Sequence, residues 1–196
     1  KRLGRVNYCN QILDNSNNFS FSWFSNTKIK IKMILSKKFN KKSFAIYGTG
    51  ITGKSVIKFL KRSHVSNYLS WDDRNRLKKE SSKKFTNFLD SADFIVLSPG
   101  INIEQAKFKK KLKKNRKKII TDLDLFYMSN KIPKTVMITG TNGKSTTCKI
   151  LEHLLKKNKF KVNLGGNIGY PILNLKQKKN SISIIEASSF QLAYSR

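Results

Sequence analysis

Twice along this chain a short run of β-branched and aromatic residues ends in a glycine turn and passes directly into a helix-forming segment. In the second instance Lys134-Thr-Val-Met-Ile138 leads into Thr139-Gly140-Thr141-Asn142-Gly143-Lys144-Ser145-Thr146. From Cys148 to Lys157 the apolar residues Ile150, Leu151, Leu154 and Leu155 then fall at helical spacing. Backbone N–H groups converge on a phosphate only where side chains do not block the approach, and the start of a helix adds its positive end. Gly140 and Gly143 meet that need, Lys144 is placed to reach the outer phosphates, and the hydroxyl of Ser145, ahead of that of Thr146, suits magnesium. Only Thr141 and Asn142 separate the glycines, so the loop is shorter than G-x-x-x-x-G-K-[ST]. The expected ligand is ATP, held by Gly140, Thr141, Asn142, Gly143, Lys144, Ser145 and Thr146. An ordinary strand-to-helix turn with a capping serine is the alternative.

The first instance is Gly48-Thr49-Gly50-Ile51-Thr52-Gly53, which satisfies G-x-G-x-x-G between a strand at 43–47 and a helix at 55–61. Asp72 and Asp73, at the end of a strand near 67–71, stand about where a ribose-binding acid belongs. NAD is the default reading, yet the same glycines suit any nucleoside diphosphate at a helix N-terminus. Ser98-Pro99-Gly100-Ile101 ends the next strand, 94–97, on the carboxyl edge of the sheet where ligands of open α/β sheets gather. Glu186 closes a β-rich run, 181–185, in the position of an acid that supports magnesium in phosphate-loop enzymes. Lys144 and Glu186 are the candidate catalytic residues, and Ser145 and Glu186 the candidate magnesium ligands.

This cadence predicts an α/β fold in two parts. The expected organisation is an unstructured extension over 1–40 with a possible true start at Met33, a Rossmann-like parallel-sheet domain over 41–132, and the start of a phosphate-loop α/β ATPase domain over 133–196. So few strands in the second part suggest that it is incomplete. A helix is expected over 104–115, strands at 118–121 and 160–164, and a linker at 131–133.

The charge of +30 would ordinarily suggest a polyanionic partner. Its cations are 34 Lys against 7 Arg, spread along the chain, and the dense run 107–118 reads as a solvated helix face. No nucleic-acid partner is expected. Cys9 and Cys148 are too far apart in sequence to suggest a disulfide framework or a cysteine metal site, and His64 and His153 lack ligand-spaced partners. No run approaches eighteen apolar residues and no apolar leader is evident, so a cytoplasmic protein without membrane insertion is expected.

Taken in order, Gly48–Ser55, Trp71-Asp-Asp-Arg74, Ser98–Ile101, Asp122-Leu-Asp-Leu-Phe126, Gly140–Thr146, Gly165-Gly-Asn-Ile-Gly169 and Glu186-Ala-Ser-Ser-Phe-Gln-Leu192 resemble the Mur ligase family, in its D-glutamate-adding branch. The resemblance covers about residues 36–196. It implies that the first domain holds the UDP part of a sugar substrate, through Ile51, Thr52, Asp73, Arg74, Gly100 and Asn167, and that the second binds ATP and magnesium. The implied substrates are UDP-N-acetylmuramoyl-L-alanine and D-glutamate, joined through an acyl phosphate in peptidoglycan precursor synthesis by an enzyme that is monomeric at full length. Asp73 departs from the hydroxyl that relatives often carry, which sets an acid beside an anionic ligand. Relatives also continue into a histidine, a modified lysine and a third domain, so the 196 residues alone are expected to be inactive. Another Mur or folylpolyglutamate ligase and an NAD-dependent oxidoreductase are the alternatives.

Overall fold

A computed structural model describes residues 39, 41–74, 79–129, 134–175 and 180–196. The extension over 1–40, with its start at Met33, lies almost wholly outside these residues, as does the linker at 131–133 with the boundary at 132.

β1 (Phe44–Tyr47) is buried along its whole length, so it reads as a continuous apolar run and takes the interior of a parallel sheet. It is flanked by β2 (Tyr68–Trp71) and β3 (Phe94–Leu97), with β4 (Ile119–Ile120) beyond β3, giving the order β2-β1-β3-β4, all parallel. Alternate side chains of β1 feed two cores. Phe44 and Ile46 pack with Val56, Phe59 and Leu60 of α1 (Ile51–Arg62) and with Leu123 and Phe126 of α4 (Asp122–Ser129). Ala45 and Tyr47 pack with Phe85 and Leu89 of α2 (Lys79–Ser91) and Leu112 of α3 (Lys109–Lys114). Both faces are therefore covered by helices, as an all-parallel sheet requires.

The second sheet has the order β5-β7-β6, again parallel, from β5 (Lys134–Ile138), β6 (Lys161–Gly166) and β7 (Ser181–Glu186). α5 (Lys144–Lys157) lies against it and α6 (Ser189–Tyr194) follows β7. Ile172, Leu173, Ile185 and Ala187 join the same core as Phe44 and Phe126, so apolar packing runs from one sheet to the other. Among the described residues no helix is long and apolar enough to cross a membrane.

Three expectations shift. The helix expected over 104–115 shrinks to Lys109–Lys114 with a 3-10 turn at Arg116–Lys118. The cause lies upstream: Lys107 N donates to Asp73 Oδ2 (3.1 Å) and Asn102 Oδ1 accepts from Glu104 N (2.9 Å), so these amides serve a turn. Secondly, α2 and α4 form where no helix was expected; α2 is mostly polar, but Phe85 and Leu89, four apart, bury one face. Finally, of the apolar residues expected to seat α5, Ile150 and Leu154 are exposed; Cys148, two residues and about 200° from Ile150, is on the buried side. The basic run does lie at the surface, tied by Lys109 and Lys113 to Glu104 and by Lys111 to Asp90.

Candidate nucleotide sites

The chain leaves β1 at Gly48 and β3 at Ser98, and these neighbouring strands send their helices to opposite faces of the sheet. That is a topological switch point, where a crevice opens beyond the carboxyl ends of the strands. The register is level there: Tyr47 pairs with both Trp71 and Leu97. Turns 48–50, 72–74 and 98–101 therefore rise from one edge and enclose a cavity of about 700 Å³. Gly53 lets α1 start this close, since a Cβ there would lie 1.9 Å from the Gly48 carbonyl oxygen.

All six residues expected at the sugar-nucleotide site, Ile51, Thr52, Asp73, Arg74, Gly100 and Asn167, line this one cavity. Asn167 comes from the second sheet, with Gly166, Gly169 and Pro171, so both sheets build the walls. Ile51 is 77 % exposed at the mouth, an apolar side chain at the start of a helix with water on most of it. Asn102 and Gln105 also line the cavity; they lie in the turn that displaced the expected helix and carry no pattern that would have marked them.

Both acids, Asp72 and Asp73, are held by donors of the chain itself. Asp72, 2 % exposed, accepts from Thr49 N (2.8 Å) and Thr49 Oγ1 (3.1 Å), and from Arg74 N, Nε and Nη2 (3.1, 3.0 and 3.1 Å). Arg74 and the donors of Thr49 hold its carboxyl well below the usual carboxylate range. It fastens the glycine turn to Arg74 and so positions that guanidinium at the cavity. Asp73 accepts from Tyr47 Oη (2.8 and 2.9 Å), Trp71 Nε1 (2.7 Å) and Lys107 N. Burial and then the Asp73 bond push the Tyr47 phenol well above its ordinary value. Asp73 thus lines the cavity with its oxygens already engaged.

The second glycine turn joins β5 to α5. Gly143 has φ +75°, in the left-handed region where glycine alone is free of penalty, and it sits at the N-cap of α5. Lys144 arches back over the turn, its Nζ donating to Gly140 O (2.7 Å) and Thr141 O (3.1 Å). Thr139 through Thr146, apart from the partly covered Lys144, are open to solvent. In the sheet Ile138 is level with Glu186, so the first turn of α5 meets the end of β7. There Ser145 Oγ donates to Glu186 Oε2 (2.7 Å), with Glu186 itself buried. A hydroxyl and a carboxylate side by side are hard oxygen donors of the type magnesium takes. The structure thus joins Lys144, Ser145 and Glu186 at one site and the six cavity residues at another.

The chain is thus an α/β protein with a glycine turn at a switch point and a second, phosphate-type turn closed by a Ser–Glu pair. Residues 138–196 match the Mur ligase middle domain. A UDP-N-acetylmuramoylalanine--D-glutamate ligase of Buchnera aphidicola subsp. Schizaphis graminum is 38% identical over 163 residues, 77% of this chain and 36% of that protein. The ligase of the same name from Wolbachia sp. subsp. Brugia malayi is 39% identical over 168 residues, 79% of this chain and 33% of the relative. That of Francisella tularensis subsp. tularensis is 34% identical over 177 residues, 89% of this chain and 37% of the relative. The chain belongs to the Mur ligase family. It spans about a third of the length of the curated relatives it matches.

Proposed function

We propose that this chain is part of an ATP-dependent ligase that adds D-glutamate to UDP-N-acetylmuramoyl-L-alanine in peptidoglycan precursor synthesis, with residues 41–132 as the UDP-binding domain and 133–196 as part of the ATP-binding domain. The observation that carries the reading is the cavity at the switch point, lined by all six expected residues and walled by both sheets, on the same chain as the Lys144–Ser145–Glu186 turn.

In this reading Arg74, steadied by Asp72, offers its guanidinium to the diphosphate, and Ile51 covers an apolar part of the ligand at the mouth. Asn167 faces the substrate from the second sheet. The ATP phosphates lie on the amides of 140–146, and Lys144 exchanges its loop carbonyls for the outer phosphates. Ser145 and Glu186 would hold magnesium, which supplies charge neutralisation on the phosphates. A carboxylate is a poor electrophile, so the substrate carboxylate first takes the terminal phosphoryl group, releasing ADP. The amine of D-glutamate then forms the amide as phosphate leaves. The enzyme works in the cytoplasm, where its nucleotide substrates are.

NAD is the reading to discriminate against. Calorimetric titration of the chain should give saturable binding of UDP-N-acetylmuramoyl-L-alanine, weakened about tenfold or more by Arg74→Ala, the scale of one charge-assisted contact. ATP with magnesium should bind and lose affinity in Lys144→Ala, while NADH gives no heat. Binding of NADH together with silence from the UDP-sugar would sink the proposal.

A further inference from the structure

Asp122-Leu-Asp-Leu-Phe126 and Ser188-Ser-Phe-Gln-Leu192 have so far no part in either nucleotide site, yet the fold brings them together. Gln191 Nε2 donates to Asp122 Oδ1 over 2.8 Å, across 69 sequence positions. Gln191 is 1% exposed and Asp122 3%. The Gln191 amide is held in one sense: its Oε1 accepts from Ser188 N (2.9 Å) and Ser188 Oγ (3.3 Å), while Ser188 Oγ accepts from Gln191 N (3.1 Å) in a capping box. Only the NH₂ end is left for Asp122. Around this bond Thr121 Oγ1 and Ser195 Oγ lie 2.7 Å apart, and Arg196 N donates to Asp124 Oδ1 (2.6 Å).

What the bond connects gives it significance. Asp122 opens α4, directly after the edge strand β4 of the first sheet. Gln191 sits in α6, which begins three residues after Glu186 at the end of β7. The carbonyl of Glu186 in turn accepts from Asn167 N (2.9 Å), and Asn167 is in the cavity wall. A covalent and hydrogen-bonded path thus runs from the first sheet through Gln191 and Ser188 to Glu186 of the phosphate turn, and on to the cavity. Apolar packing between the sheets would serve stability as well or better; a buried polar pair adds a fixed direction.

We infer that Asp122 and Gln191 are a positioning pair that sets one sheet against the other and so holds Asn167 at the cavity and Glu186 at Ser145. Neither residue touches a nucleotide. The inference rests on the reading of the cavity as a uridine-nucleotide site, but its first readout does not need a ligand.

The test uses three variants of the full chain: Gln191→Glu, Asp122→Asn, and both together. Gln191→Glu keeps a carbonyl-type acceptor for the Ser188 cap but sets two carboxylates face to face. It should speed amide hydrogen exchange over 166–171 and 186–192 and weaken binding of UDP, measured by calorimetry, about tenfold, the size of one lost charged hydrogen bond. Asp122→Asn keeps an acceptor oxygen and should exchange and bind like the unsubstituted chain. In the double variant the introduced amide donates to the introduced carboxylate, reversing the bond, and both readouts should return. Unchanged exchange over 166–171 in Gln191→Glu, or a double variant as impaired as Gln191→Glu alone, overturns the inference. Should Gln191→Glu fail to fold, recovery of folding in the double variant supports it and continued failure overturns it. If the unsubstituted chain does not bind UDP, the uridine reading fails, and the exchange rates still decide the pair.

Discussion

Asp72→Ala separates two jobs that one carboxylate performs. In the native structure Oδ2 accepts from Thr49 N (2.8 Å) and Oγ1 (3.1 Å), while Oδ1 accepts from Arg74 N (3.1 Å) and Nε (3.0 Å). The Arg74 guanidinium is open to water, so its half of the interaction adds little to stability. Thr49 N–H is different, because removing its acceptor leaves a backbone donor orphaned inside the glycine turn, at a cost of about 1–3 kcal/mol. For a chain of 196 residues each kcal/mol lowers Tm by about 2–4 °C, so Asp72→Ala should melt about 2–12 °C lower at pH 7. Asp72→Asn can keep its oxygen on Thr49 and turn its NH₂ toward Arg74, whose side chain is free to swing away and whose exposed backbone N–H turns to water. It should recover most of the stability and still lose affinity for the UDP-sugar. The pH dependence has a definite sign. The folded carboxyl lies below its ordinary value of 3.8, so its contribution is full above that value and is lost as pH falls toward the folded one. Differential scanning calorimetry at pH 7 and in stepwise acidification should show the gap between wild type and Asp72→Ala narrowing below about pH 4, where the unfolded carboxyl takes up its proton. Equal melting of the alanine and asparagine variants, or a gap that widens in acid, would refute the reasoning.

Gly53→Ala should be severely destabilising, because the new methyl would lie 1.9 Å from the Gly48 carbonyl and the turn must open; a loss of about 1–3 kcal/mol or more in urea unfolding is expected, together with loss of UDP-sugar binding. Cys148 is fully buried, and burial with the nearby Glu186 charge raises its thiol above the usual range. Iodoacetamide at pH 8, mapped by mass spectrometry, should leave Cys148 unlabelled until denaturant is added; prompt labelling in the native protein would count against the packing of α5.

The parts of the fold that were legible in the sequence are those where one local pattern decides the outcome. Phe44–Tyr47 and Phe94–Leu97 are apolar throughout, as strands buried on both faces must be, and each glycine turn stands between a strand and a helix. The six cavity residues were identifiable by resemblance, and it is the switch point that brings them to one crevice. What escaped depends on contacts between distant segments. That residues 104–108 leave the expected helix is only partly local: Asn102 takes the Glu104 amide two residues on, but the acceptor for Lys107 N is Asp73, 34 positions away. The spacing that put Asp72 and Asp73 where a ribose acid belongs was sound, but their partners, Thr49, Arg74, Tyr47 and Trp71, come together only in the folded sheet edge. In α5 the helical spacing of Ile150 and Leu154 was right, and the buried side was not theirs, since periodicity fixes a stripe and leaves open what covers it.

Four carboxylates are held by donors within the fold, Asp72 by the glycine turn, Asp73 by Tyr47 and Trp71, Asp122 by Gln191 and Glu186 by Ser145; Asp72, Asp122 and Glu186 are buried, while Asp73 is exposed. In a chain carrying +30 with only 11 acids, an acid committed to a buried or partly buried bond is withdrawn from the abundant surface lysines. Desolvating a carboxylate is costly, so such placements persist where direction matters more than net energy. Asp72 aims Arg74 at the cavity, and the Asp122–Gln191 bond orients the segment between Glu186 and Asn167. On the proposed two-nucleotide reading, the hydrogen bond from Asn167 N to the Glu186 carbonyl (2.9 Å) links the cavity wall to the phosphate turn, and any coupling carried through it would have the same free energy in both directions.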